Sequence, residues 1–240
     1  MGRAPHTRLV QSPMSRVMRN LFVAAIGVAI GLGFWYGRPQ WDPEMRLWRA
    51  FGDAALMLLL IALALGPVVR LAPRLARLLP WRREFGVGFG VAALVHTVLV
   101  LDGWARWDLL RLLGYEFVPQ LGRVARLEPG FGLSNLVGLL AMLLTVVLML
   151  TSTDLAVRTL GPSAWKLLQL SSYTVFYLSV LHTAYFLFMH YTASFHRSVP
   201  DDPNWFRVPF LLLAVGLIGL QSAAFLETLR RRRRGRSTAA

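Results

Sequence analysis

Six stretches of mostly apolar residues alternate with charged segments along the chain, near residues 21–36, 50–69, 85–101, 131–150, 167–189 and 208–226. A helix rises about 1.5 Å per residue, so roughly 20 apolar residues cross a hydrocarbon core about 30 Å thick, and each stretch is close to that length. The expected fold is all-α: a polytopic bundle of six membrane helices over residues 21–227, between a basic tail at 1–20 and an Arg-rich tail at 228–240. The first stretch follows Arg16 and Arg19 as a signal peptide would. It ends in Gly33-Phe34-Trp35-Tyr36-Gly37 with no small-x-small cleavage pattern, so a retained anchor is expected. No internal repeat, linker or second domain is visible.

Composition supports a bilayer as the solvent. With 55% hydrophobic and only 16% charged residues, the chain is too apolar to cover a soluble core with polar surface. Cysteine is absent, which excludes disulfides, thiolate metal sites, iron–sulfur clusters and covalently attached haem. Any redox metal must be held by histidine or oxygen ligands. The net charge of +14 would suit nucleic acid, but basic residues interleaved with long apolar runs are what anionic headgroups and membrane topology demand. Lipid is therefore the expected partner, and no nucleic acid is.

The charges also predict an orientation, because cytoplasmic loops retain Lys and Arg. With an inside N-terminus, 17 of the 26 basic residues fall inside, among them Arg70 to Arg83 and the run Arg230 to Arg236. The acids reinforce the bias: only Glu84, Asp154 and Glu227 fall inside, against eight in the outer loops. Both termini are expected in the cytoplasm, with the Arg run as a topology anchor that also holds anionic lipid. The longest connection, Asp102 to Gly130, is then outside. Its Trp104, Trp107, Leu109, Leu110, Leu112 and Leu113 suggest a short amphipathic helix in the interface, either roofing a site or serving as a passive aromatic belt.

Two of the five histidines, His96 and His182, fall well inside predicted spans, where ionisable residues face the bundle interior and mark function. Both spans run outward. His96 lies five residues before Leu101, about 8 Å from the outer end, and His182 seven before Met189, about 10 Å. Two parallel helices thus offer one imidazole each at nearly one level, which suits a b-type haem clamped between them. Ala92, Ala93, Gly86, Gly88 and Gly90 make the third span thin enough for a flat macrocycle to approach, and Ser179 and Tyr185 flank His182. Gly86-x-Gly88-x-Gly90 is no phosphate loop, since no strand precedes it. For each histidine alone, an interhelical hydrogen bond is the alternative. His190, His196, Asp201 and Asp202 match no metal spacing and read as an interfacial loop, and His6 sits in a tail. Asp53 is expected at the interface, in reach of headgroup water.

These residues carry a resemblance. Gly66-Pro67 ends the second span, Arg82-Arg83-x-Phe85-Gly86 opens the third, and His96 follows ten residues after that glycine. Thr151-Ser152-Thr153, Leu160-Gly161, Trp165 and His182 come further on. In this order the chain resembles the ferric-reductase-like transmembrane domains, and among them the haem-binding membrane subunit of the bacterial methionine-sulfoxide reductase system. The resemblance implies that His96 and His182 ligate haem iron and that electrons come from a quinol or a flavin (FMN). It also implies that they leave for a periplasmic acceptor across the bacterial inner membrane, through an electron-transfer subunit rather than a complete enzyme. Where that subunit carries a further histidine, four residues after the tryptophan, this chain has Gln169. At the matching depth the third span offers only Arg82 and Arg83, so a single outer haem is expected. A haem-free structural or assembly subunit of a larger membrane complex is the alternative. A transporter fits less well, because neither an inverted repeat nor paired broken helices are found.

Overall fold

The computed structural model describes residues 14–126, 128, 130–190 and 204–237. Six helices in it are long and apolar enough to span a membrane. The chain is a multi-pass membrane protein with an all-α bundle. Helix α1 (Arg16–Tyr36) starts at Ser15, whose side chain accepts from Met18 N–H. Helix α2 (Pro43–Leu71) starts behind Asp42, which caps Glu44 and Met45, with Pro43 in the first turn where its missing N–H is harmless. Helix α3 (Trp81–Leu99) continues into a π turn at Val100–Trp104. Then come α4 (Leu109–Leu112), α5 (Phe131–Leu150), the short α6 (Asp154–Leu160) and α7 (Pro162–Ala184). Helix α7 also ends in a π turn, Tyr185–Met189, and α8 runs Arg207–Ser237.

Helix α2 is the mast of the bundle. Half of its apolar window is buried, against 17–28% for the other five. It packs on α1, α3, α7 and α8, and small residues on it (Ala50, Ala54, Ala55, Ala62) let those helices approach. Helix α5 packs on α7 and α3. In the Gly86, Gly88 and Gly90 series, Gly88 and Gly90 serve this packing: a Cβ on Gly88 would meet Val23 of α1, and one on Gly90 would meet Met149 and Thr145 of α5. Among these three, only Gly86 has open space beside it.

The segment expected as an interfacial helix is mostly something else. Its α-helical part is the single turn Leu109–Leu112, between the π turn that ends at Trp104 and a 3₁₀ turn at Pro119–Leu121. Strands β1 (Tyr115–Val118) and β2 (Arg123–Arg126) form an antiparallel hairpin, Tyr115 pairing with Arg126 and Val118 with Arg123. Asp108 caps the single α-helical turn by accepting from Leu110 and Arg111 N–H, and Gly122, at φ 59°, permits the reversal between the strands.

Ion pairs fix the two ends of the bundle. At the end where α1 begins, the Arg-rich end, Arg19 holds the buried Glu84 of α3 at 2.8 Å. Asp154 accepts from Arg16 at 2.8 Å and from Arg83 at 3.4 Å. At the hairpin end, Arg38 binds Asp53 at 2.5 Å. This overturns the interfacial reading of Asp53, which is 8% exposed. The reason is Arg38, a loop residue in sequence, which turns back into the bundle at 1% exposure. The rings of Phe34, Trp41 and Trp205 surround its guanidinium at 4.9–5.9 Å.

Removing one member of a buried ion pair strands the other charge, which costs about 3–5 kcal/mol, whereas replacing both with apolar groups is often neutral. Arg38→Met is expected to lower unfolding stability in detergent by that amount. The double change Arg38→Met, Asp53→Leu should recover most of it in the same denaturation series.

Asp154 is held below the usual carboxylate range, chiefly by the hydrogen bond from Arg16. A depressed folded value stabilises the native state above about pH 4 and loses that contribution as pH falls through the folded value. The thermal midpoint of Asp154→Asn should therefore fall less steeply below pH 4 than that of the parent.

Candidate functional site

A cavity of about 260 Å³ opens among α2, α3, α5 and α7 toward the hairpin end. A single water needs only about 10–15 Å³ of such space, so this is room for a sizeable ligand. His96 and His182 both line it. Each ring is oriented in the same way. His96 Nδ1 lies 2.7 Å from the backbone carbonyl of Trp48 on α2, and His182 Nδ1 lies 2.8 Å from that of Ser134 on α5. A carbonyl only accepts, so Nδ1 is the donor in both rings. A neutral imidazole then keeps its lone pair on Nε2, the nitrogen left for a ligand.

Glycine makes both contacts possible. In a helix the Cβ of residue i+4 tilts back over the carbonyl of residue i, and the residues four beyond Trp48 and Ser134 are Gly52 and Gly138. A Cβ on Gly52 would come within 3.0 Å of His96 Cε1, and one on Gly138 within 2.7 Å of His182 Nδ1. Each imidazole therefore sits in a glycine notch, with its N–H on the carbonyl one turn away. The separation from accepting carbonyl to histidine is 48 residues in both cases. The structure thus repeats one arrangement twice, although the sequence shows no repeat.

The rest of the lining is mostly apolar: Leu56, Phe89, Ala93, Leu139 and Met142 form part of the deeper walls. Arg49 and Asp53 add charge, with the Arg49 guanidinium 5.4 Å from the ring centres of Trp41 and Phe186. The loop after α3 does roof the site. Val100, Leu101, Trp104 and Leu112 line the cavity, Asn135 of α5 donates to Leu112 C=O at 2.7 Å, and Trp104 packs on Phe131 with centroids 4.9 Å apart. Gly103 lies so close to the Trp48 ring that a Cβ there would overlap it. Ser179 lines the cavity as well, whereas Tyr185 lies against Gly130 beside it.

His190 also lines the cavity, at its mouth, where its Nδ1 meets the buried Glu128 at 2.7 Å. The sequence alone places it in a loop. Its spacing of eight from His182, two turns along one face, is the signal that could have found it. His6, His196, Asp201 and Asp202 lie outside the described residues. Among the described residues, no three metal-ligating side chains of the His, Cys, Asp or Glu type come together.

Gln169, Arg82 and Arg83 do not converge. Gln169 donates to Thr151 Oγ1 at 3.4 Å, Arg82 lies beside Gly66 of α2, and Arg83 pairs with Asp154. Trp165 Nε1 donates to Thr151 C=O at 2.9 Å, so this turn is occupied by its own contacts.

Residues 50–179, more than half of the chain, match the model of the family described as ferric reductase like transmembrane component. The chain belongs to that family. Its members generally bind haem, and the membership gives this protein a membrane redox role. No match was found among curated proteins.

Gly52→Ala and Gly138→Ala should each destabilise the fold by about 1–3 kcal/mol through overpacking, with Gly138→Ala the larger effect. Gly86→Ala meets nothing within 4 Å and is expected to be neutral or stabilising by up to about 1 kcal/mol. Denaturant midpoints of the three variants check this order.

Proposed function

We propose that the chain is a b-type haem protein of the membrane, in which His96 and His182 would hold the iron of a single haem. The observation that supports this most is the matched pair of Nδ1 contacts, which fixes both rings and leaves both Nε2 atoms as lone-pair donors on one cavity. Haem, when bound, supplies a one-electron couple inside the apolar layer. The chain supplies the rest. The Trp48 and Ser134 carbonyls fix the tautomer and orientation of both imidazoles. Leu56, Phe89, Leu139 and Met142 exclude water, and Arg49 offers a cation to a carboxylate-bearing occupant.

The excess of Lys and Arg supports an orientation with the Arg-rich end in the cytoplasm of a bacterium and the hairpin end in the periplasm. In that orientation the cavity lies in the outer half. Electrons from a membrane donor, quinol or a flavin such as FMN, would leave for a periplasmic acceptor, as in the membrane subunit of the methionine-sulfoxide reductase system. Gln169, engaged with Thr151, argues against a second haem at the cytoplasmic end. If no haem binds at all, the remaining role is that of a structural subunit of a larger membrane complex.

An absorption spectrum of the purified protein tests the reading. A bis-imidazole b-type spectrum is expected at one haem per chain, abolished in His96→Ala and His182→Ala and retained in Gln169→Ala. A colourless, folded parent protein would overturn it.

A further inference from the structure

A second cleft, also of about 260 Å³, lies at the Arg-rich end, far from the histidines. It is formed by Arg16 and Asn20 of α1, Arg83, Glu84 and Val87 of α3, and Met149, Ser152 and Thr153 at the end of α5. None of these residues lines the histidine cavity, so the chemistry of the cleft is independent of whether that cavity holds haem.

Glu84 is the unusual member. It is 4% exposed, and Arg19 takes only its Oε1, at 2.8 and 2.9 Å. Its Oε2 is buried without a hydrogen-bond partner. A buried carboxylate oxygen left unsatisfied is costly, and the group that satisfies it must be a donor. Around it, Arg16, Arg19 and Arg83 face the two carboxylates Glu84 and Asp154. These five groups leave one positive charge, on a side of the cleft where Arg16 and Arg83 are both partly exposed. The occupant that fits therefore carries a donor at one point and an anionic oxygen at another. Its position, level with the first turns of α1 and α3 and the last turn of α5, is headgroup depth. Val87 and Met149 supply an apolar side where an acyl chain begins.

We propose that this cleft binds the headgroup of a zwitterionic phospholipid with a primary ammonium, the Glu84 carboxylate turning its unpartnered oxygen to the ammonium and the phosphate lying on Arg16 and Arg83. A quaternary ammonium has the same charge but no N–H, so phosphatidylcholine cannot make the Glu84 contact. A charge-assisted hydrogen bond is worth about tenfold or more in affinity.

The test is native mass spectrometry of the full chain released from nanodiscs of equal phosphatidylethanolamine and phosphatidylcholine. Retention of one phosphatidylethanolamine, preferred about tenfold or more, is expected. Val87→Phe, which fills the cleft and leaves every ion pair in place, should remove the preference while the thermal midpoint stays near that of the parent. Asn20→Leu, a polar-to-apolar change in the lining, provides a second check and should weaken it. Equal retention of the two lipids overturns the proposal, as does a preference that survives Val87→Phe. Added soluble phosphoethanolamine at millimolar concentration should leave the preference intact; if it displaces the lipid, the occupant is a soluble phosphoamine and the lipid assignment fails.

Discussion

The site depends on a hydrogen-bonding constraint of the bilayer interior. An imidazole N–H away from water must find an acceptor, and in a helical bundle nearly every carbonyl is already engaged with the N–H four residues on. Such a carbonyl still has a second lone pair, but the side chain at i+4 covers it. Glycine at i+4 uncovers it. Gly52 and Gly138 do this for Trp48 and Ser134, and the two rings settle on the exposed oxygens at 2.7 and 2.8 Å. The orientation of both histidines, the availability of both Nε2 atoms and the close contacts α2–α3 and α5–α7 follow from these two missing Cβ atoms.

The charged groups obey the same constraint by a different route. Arg38 and Asp53 neutralise one another at the hairpin end, and aromatic rings cover the guanidinium N–H groups that find no oxygen. Arg19 and Glu84 do so at the other end. These pairs tie α1 to α2 and to α3, so the first helix, exposed over most of its length, is fastened at both ends. Two of the helices around the histidine cavity, α2 and α3, are thereby tied through α1 by ionic contacts, a directional constraint that apolar packing in lipid lacks.

The helices are legible in the sequence because hydropathy over some twenty residues is a strong signal, and the pair His96 and His182 because ionisable residues inside such runs are rare. Local information fails elsewhere. Asp53 looks interfacial when only its own span is considered, because nothing local shows Arg38, fifteen residues earlier, folding back on it. The hairpin 115–126 is hidden by its four-residue strands, too short for alternation to show. Gly86, Gly88 and Gly90 draw attention because they share a helix with His96, yet Gly52 and Gly138 are the glycines that shape the site. The notch that receives a side chain is built by the neighbouring helix, and no periodicity within one helix reveals it.

The two histidine contacts are equally spaced along the chain although no repeat is visible in its sequence. From Gly52 the chain runs 19 residues to Leu71, and from Trp81 another 15 to His96, so the arms are about 29 and 23 Å. From Gly138 it runs 12 residues to Leu150, and from Pro162 another 20 to His182, about 18 and 30 Å. The separation from glycine to histidine is 44 residues in both cases while the helical arms differ, and the connectors, one containing a 3₁₀ turn and the other α6, differ with them. What recurs is a hydrogen-bonding geometry at one level of the membrane, not a copied segment. Because that level is near the β-hairpin end in both cases, the two histidines share one half of the bundle, and Gln169, about 20 Å along α7 from His182, lies in the half where Arg19 pairs with Glu84 and Arg16 with Asp154.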